Sequence, residues 1–179
     1  FSEETGKGQN VLTGEKNLEL NKIAREYKNQ GQGWVAFGDE NIGEGSSREH
    51  AAMEPRHMGC LAFISKSYAR IFEANLKKQG IIPFHLINKE DYEKIQEKDR
   101  ISFAGLDQVA PGKNVSMTIK HEDGSSDTVE LKHTLNEEEV KWFHAGSALN
   151  YVGKKMKWNL LDNATTHFLH KTENKTNIL

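Results

Sequence analysis

Ser46, Ser47 and Arg48 place two hydroxyls and a guanidinium side by side, directly after the string Gly38-Asp39-Glu40-Asn41-Ile42-Gly43-Glu44-Gly45. A serine hydroxyl is a poor base unless its alkoxide is stabilised. Backbone amides, a helix N-terminus and a neighbouring cation are the groups that do this. The guanidinium is also a planar fork matched to a carboxylate. The stretch therefore suits the holding of a carboxylate or phosphate beside two hydroxyls. Ser46-Ser47-Arg48-Glu49 fits the Ser-x-x-Glu capping box, which predicts a helix starting at Ser46. A cation in a first helical turn is locally unfavourable, and a bound anion would offset that cost.

The elements that must position these groups are legible around them. Trp34-Val35-Ala36-Phe37 reads as a short buried strand leading into the loop. Strand, glycine loop and helix start together aim free N–H groups at the loop. Two plainer accounts stand beside this one. The stretch could be a connection only, or Ser46 only an N-cap worth about 1 kcal/mol. Known loop signatures do not fit: there is no Gly-Lys-Ser/Thr ending, no third glycine of a dinucleotide fingerprint, and no Gly-x-Ser-x-Gly frame. His50 and His57 lack a third ligand at metal spacing, and Pro55 is expected to end or restart their helix. His50 is read as a packed core histidine or a supporting donor, Arg56 and Arg70 as ion-pair partners or an approach surface.

The longer string Gly43-Glu44-Gly45-Ser46-Ser47-Arg48-Glu49-His50-Ala51-Ala52, with Met53-Glu54-Pro55-Arg56-His57, resembles the C-terminal swivelling domain of mitochondrial-type aconitases (aconitate hydratases). The likeness continues through Lys66-Ser67-Tyr68-Ala69-Arg70-Ile71 and Asn75-Leu76-Lys77-Lys78-Gln79-Gly80. It resumes at Ala110-Pro111-Gly112-Lys113 and Trp142-Phe143-His144-Ala145-Gly146-Ser147-Ala148-Leu149-Asn150. The Gly-Ser-Ser-Arg core is shared with isopropylmalate isomerase small subunits. The resemblance implies an α/β swivelling domain of β/β/α type, with a mixed sheet, flanking helices and a β-hairpin. It implies the interconversion of citrate and isocitrate through cis-aconitate in the tricarboxylic acid cycle, in the mitochondrial matrix. By resemblance Ser46 is the catalytic base, and Ser47 and Arg48 bind substrate carboxylate. A 4Fe–4S cluster would sit on the N-terminal cluster-bearing domains of the same enzyme, with none held by this chain, which would be inactive alone. Cys60-Leu61 stands where the family has glycine then arginine. Two alternatives remain open: a small subunit of an isopropylmalate isomerase-like hydro-lyase, and a non-catalytic relic that binds anions or a partner.

Composition bounds the partners. Charged residues are 28 % and the net charge is −2, so nothing favours nucleic acid or an acidic membrane. No apolar run is long enough to span a bilayer. Cys60 is the single cysteine; it excludes an internal disulfide, cannot supply a cluster and reads as a small core residue. The chain opens on Phe1 without a presequence and reads as a processed piece or fragment.

Along the chain, residues 1–15 read as a loose lead-in, 16–150 as the domain and 151–179 as a divergent, poorly ordered tail, the likeness ending at Tyr151. Leu18, Leu20, Ile23, Ala24 and Tyr27 predict a helix closed by Gly31 and Gly33. Leu61–Ile64 is a second strand. A helix follows Ser67 with Ala69, Ile71, Phe72 and Leu76 as its apolar stripe, stopped at Gly80. Ile81-Ile82-Pro83-Phe84 is a third strand, its proline arguing for a strand start or a sheet edge. A short helix spans Lys89 to about Glu97. Val115–Ile119 and Thr128–Leu131 alternate around an Asp-Gly turn as a β-hairpin, and Asn136 with Glu139 caps a helix running to Gly146. The sequons at Asn114, Asn163 and Asn174 are read as chance triplets.

Overall fold

The computed structural model describes residues 5–46 and 48–164, the last eight of these by backbone alone. Helix α1 (Leu20–Asn29) precedes three strands that alternate with two helices: β1 (Trp34–Gly38), α2 (Arg48–His57), β2 (Cys60–Ser65), α3 (Arg70–Lys78) and β3 (Ile82–Leu86). After a 3-10 turn at Lys89–Lys94 come β4 (Arg100–Ala104), β5 (Val115–Lys120), β6 (Ser126–His133), α4 (Glu137–Ala145) and α5 (Ala148–Ala164). The strands form one sheet in the order β1-β2-β3-β6-β5-β4. Pairing is parallel from β1 to β3 and antiparallel from β3 to β4. The expected α/β fold with a mixed sheet and a hairpin is what the chain adopts.

Period-two alternation explains how the sheet buries both faces. Ile82, Phe84 and Leu86 of β3 join Met117 and Ile119 of β5 and Val129 and Leu131 of β6 in one buried cluster. A second cluster, with Ala52, Phe72 and Leu76, forms where α2 and α3 cover the other face. Residues of both edge strands, among them Val35, Phe37, Ile101 and Phe103, line a cavity of about 610 Å³. The sheet therefore curls until its two edges face each other.

Several expectations are corrected. The first strand is half-buried along its length, because β1 is a sheet edge. Of the two places expected for Pro83, the strand start holds and the sheet edge does not: it is the second residue of central β3, one residue beyond the last β3–β6 pair, Phe84 opposite His133, so no β6 partner faces it. Helix α2 runs through Pro55 to His57; the proline forgoes the bond its missing N–H would have made to Ala51 and crowds that carbonyl, but it does not end the helix. Ile71 is exposed, and the stripe α3 buries is Phe72, Asn75 and Leu76. Strand β4, which the sequence reading leaves unassigned, alternates exposed and half-buried residues as the other sheet edge.

The two ends differ from expectation as well. Asn10, within the supposedly loose lead-in, is buried, its side chain accepts the amides of Leu12 and Thr13, and Val11 donates to the Tyr27 hydroxyl. At the other end α5 crosses the boundary drawn at Asn150; the remainder of the predicted tail, 165–179, lies outside the described residues. Among the described residues no helix is long and apolar enough to cross a membrane.

Candidate active site

The hydroxyl-bearing loop leaves the carboxyl end of β1, at the end of the parallel strands where open α/β sheets place their ligand sites. Its path is templated by the neighbouring connection between β2 and α3. Asn41, at φ 51°, donates its amide to the Ser67 hydroxyl at 2.7 Å. Ile42 donates to the Ser67 carbonyl (3.2 Å) and accepts from the Ala69 amide (2.9 Å). The fully buried Ser65 hydroxyl lies 2.5 Å from the Asp39 carbonyl and 2.8 Å from that of Ser67. Gly43 is at φ +89°, and a Cβ built there would stand 2.2 Å from the Phe72 ring. Only glycine fits between the loop and α3.

Beyond Gly43 the loop opens. Nothing lies within 4 Å of a Cβ built at Gly45, and Ser46 is exposed. Among the described residues the Ser46 hydroxyl has no hydrogen-bond partner, so the predicted capping box with Glu49 does not form there. The described part of helix α2 begins at Arg48. Ser47 lies outside the described residues. Arg48 turns back onto the loop, Nε donating to the Gly45 carbonyl at 2.6 Å and Nη2 to that of Glu44 at 3.3 Å. These carbonyls offset part of the cost of a cation at the helix start. Among the described residues, Nη1 and the second proton of Nη2 have no acceptor, which leaves them open to a carboxylate.

Two ion pairs and one amide–carboxylate hydrogen bond tie the charged side chains around the loop. The Lys66 ammonium is 2.7 Å from Asp39, Lys89 is 2.7 Å from Glu40, and the Asn41 side-chain amide donates to Glu44. Behind the loop, α3 carries Glu73, whose carboxylate meets His85 of β3 at 3.2 Å and accepts from the Thr134 hydroxyl. The His85 hydrogen bond, with help from Thr134 and Lys77, holds the Glu73 carboxyl below its ordinary range. The sequence reading missed Ser65, Lys66 and Ser67 as loop supports. The available signal was that a second strand-to-helix connection had to lie beside the first.

Other nominated residues are placed elsewhere. His50, expected in the core or as a supporting donor, is exposed, because α2 turns Ala52 inward and His50 lies two residues round the helix. Arg56 and Arg70 form no ion pair among the described residues, and Arg70 is exposed at the first position of α3. Cys60 is fully buried as expected, and burial pushes its thiol up to about 12. Leu61 beside it lies at the start of β2, four residues and roughly 13 Å of strand from the carboxyl end that bears the loop. The Cys60-Leu61 departure thus sits away from Ser46 rather than beside it.

Residues 2–89 match the family model of the aconitase C-terminal domain. The chain belongs to the aconitase C-terminal domain family. It is similar to the probable mitochondrial aconitate hydratase of Caenorhabditis elegans, 53 % identical over 147 residues, covering 82 % of this chain and 19 % of the relative. The Saccharomyces cerevisiae mitochondrial aconitate hydratase is 51 % identical over 144 residues (80 % and 18 %). That of Dictyostelium discoideum, named as probable, is 50 % identical over 164 residues (89 % and 21 %). A stretch that long cannot end before about residue 159, so likeness to this relative runs past Asn150, where the sequence reading ends it. The chain spans about a fifth of the length of these relatives. Among solved structures it is similar to a 3-isopropylmalate dehydratase from Methanocaldococcus jannaschii, with TM-score 0.50 and 25 % identity, covering 72 % of this chain and 68 % of that one.

Proposed function

We propose that this aconitase C-terminal domain supplies the serine base and part of the carboxylate grip of a mitochondrial aconitate hydratase, a hydro-lyase that interconverts citrate and isocitrate through cis-aconitate. The observation that carries the reading is the exposed Ser46 hydroxyl, without a partner among the described residues, two positions before a guanidinium with free N–H groups at a helix N-terminus. Ser46, as the alkoxide, takes a proton from a substrate carbon and becomes a neutral hydroxyl; in the reverse direction it returns that proton. Arg48 and Ser47 hold a carboxylate so that the reacting C–H faces Ser46. The substrate hydroxyl departs on groups outside this chain, in the cluster-bearing domains.

A 4Fe–4S cluster does not suit the residues described here. The lone thiol is buried and donates toward the Ala62 carbonyl, and no group of three or more His, Cys, Asp or Glu is placed to hold a metal among the described residues. No part of the proton transfer above runs through a cluster. The aconitate reading is preferred over an isopropylmalate one because identity is 53 % to an aconitate hydratase against 25 % to the dehydratase.

The test is a chimera in which this chain replaces the segment it matches in the Saccharomyces cerevisiae enzyme, assayed by cis-aconitate absorbance. Ser46→Ala is expected to lower kcat by ~10²–10⁴-fold, about 3–5 kcal/mol of barrier, with the melting temperature nearly unchanged. A Ser46→Ala chimera that turns over normally would remove the base assignment. A wild-type chimera that is folded and cluster-loaded but inactive would favour the non-catalytic alternative.

A further inference from the structure

We infer that Lys66 is a positioning residue for the hydroxyl loop, setting where Ser46 stands without touching substrate; this rests on the proposed role of Ser46. One residue grips another twice. The Lys66 backbone amide donates to the Asp39 carbonyl at 3.0 Å, and its ammonium lies 2.7 Å from the Asp39 carboxylate. Asp39 is the first residue after β1, so this double hold fixes the point where the loop leaves the sheet. The ammonium also lies 4.6 Å from the Tyr92 ring centroid and 3.7 Å from Glu93, both on the 3-10 turn Lys89–Lys94. Its side chain is only 16 % exposed, against 62 % for Asp39.

Lys66 therefore joins three segments: the loop, the β2–α3 connection and the 3-10 turn after β3. Exposed ion pairs add little stability, but the geometric consequence is larger than the energetic one. The loop holds Asn41 and Gly43 at positive φ, and beyond them a side chain at Gly45 would meet open space. Asn41, Ile42 and Gly43 hold its middle, and the Lys66–Asp39 contact holds its first residue. A displacement of about 1 Å at a reacting group costs up to ~10²-fold in rate. Lys66 acts on turnover through the placement of Ser46, and binding of substrate carboxylate stays with Arg48 and Ser47.

The experiment uses the same complete chimera with Lys66→Met, Asp39→Ala and Lys66→Arg. Peptide-level hydrogen exchange over residues 39–46 is measured beside kcat and KM. Expected are faster exchange in that peptide only, a kcat lower by on the order of tenfold, and KM within about twofold for Lys66→Met and Asp39→Ala. Lys66→Arg, which keeps the cation, should recover most of kcat. Unchanged exchange, or faster exchange with unchanged kcat, overturns the inference, as does a rise in KM alone. An inactive wild-type chimera would sink the catalytic reading of Ser46 instead, and the exchange data would still decide whether Lys66 orders the loop. Should Lys66→Met fail to fold, Asp39→Ala removes the same contact from the exposed side.

Discussion

Gly43 and Gly45 stand two residues apart in one loop and face opposite demands. At Gly43 a Cβ would drive into the Phe72 ring, and φ is +89°. Gly43→Ala should cost about 3 kcal/mol, combining a left-handed backbone with overpacking, and should lower the melting temperature of the chain clearly. At Gly45 the space is open and φ is ordinary, so Gly45→Ala should leave stability within about 0.5 kcal/mol. Any effect of that second change on turnover in the complete enzyme then reports a ligand approaching the backbone. Arg48→Lys separates two uses of one side chain. A lysine cannot bond both loop carbonyls and still present a fork, so KM should rise about tenfold or more with the fold retained.

At the scale of elements, two side-chain devices hold the second half of the chain. Asn136 accepts the amides of Glu138 and Glu139 while the Glu139 carboxylate accepts the Asn136 amide, the reciprocal cap expected from the sequence. Asn136→Ala should cost about 1 kcal/mol in thermal unfolding. His121 was not singled out from the sequence. Its Nδ1 lies 2.8 Å from Asp99 and its Nε2 3.1 Å from Asp127, so the imidazolium fastens the β5–β6 hairpin to the approach of β4. Lys98 with Glu122 clasps the same two segments at 2.9 Å, and Asp123 lies at the hairpin tip. The two aspartates, Asp127 foremost, raise the His121 pKa above its ordinary value. Its stabilisation is thus fully present below the ordinary imidazole range near pH 6.5 and fades as pH rises through the higher folded value. The difference in melting temperature between wild type and His121→Asn should shrink steadily from pH 6 upward.

At the scale of the whole molecule, the hydroxyl loop and the cavity lie apart. The cavity is bounded by the two sheet edges, and neither Ser46 nor Arg48 lines it. The loop instead stands on open surface at the carboxyl end of the parallel strands. A substrate held only by one exposed helix end has no wall on its far side. The chain by itself should therefore show no measurable turnover of citrate or cis-aconitate, and activity should appear only when cluster-bearing domains of a relative are joined to it. Turnover by the chain alone would contradict this division of the site.

The sequence by itself determined the alternation of strands and helices, the hairpin and the Asn136 cap, because apolar period, turn residues and capping pairs are local properties. It nominated Ser46, Ser47 and Arg48 from residue types and a resemblance carried by contiguous strings. The tertiary structure alone decided that Pro83 lies in a central strand and that His50 faces out. It also decided that the loop is carried by Ser65, Lys66 and Ser67, residues some 25 positions away. Those outcomes depend on which strand lies beside which, and parallel pairing brings together segments that share no sequence neighbourhood.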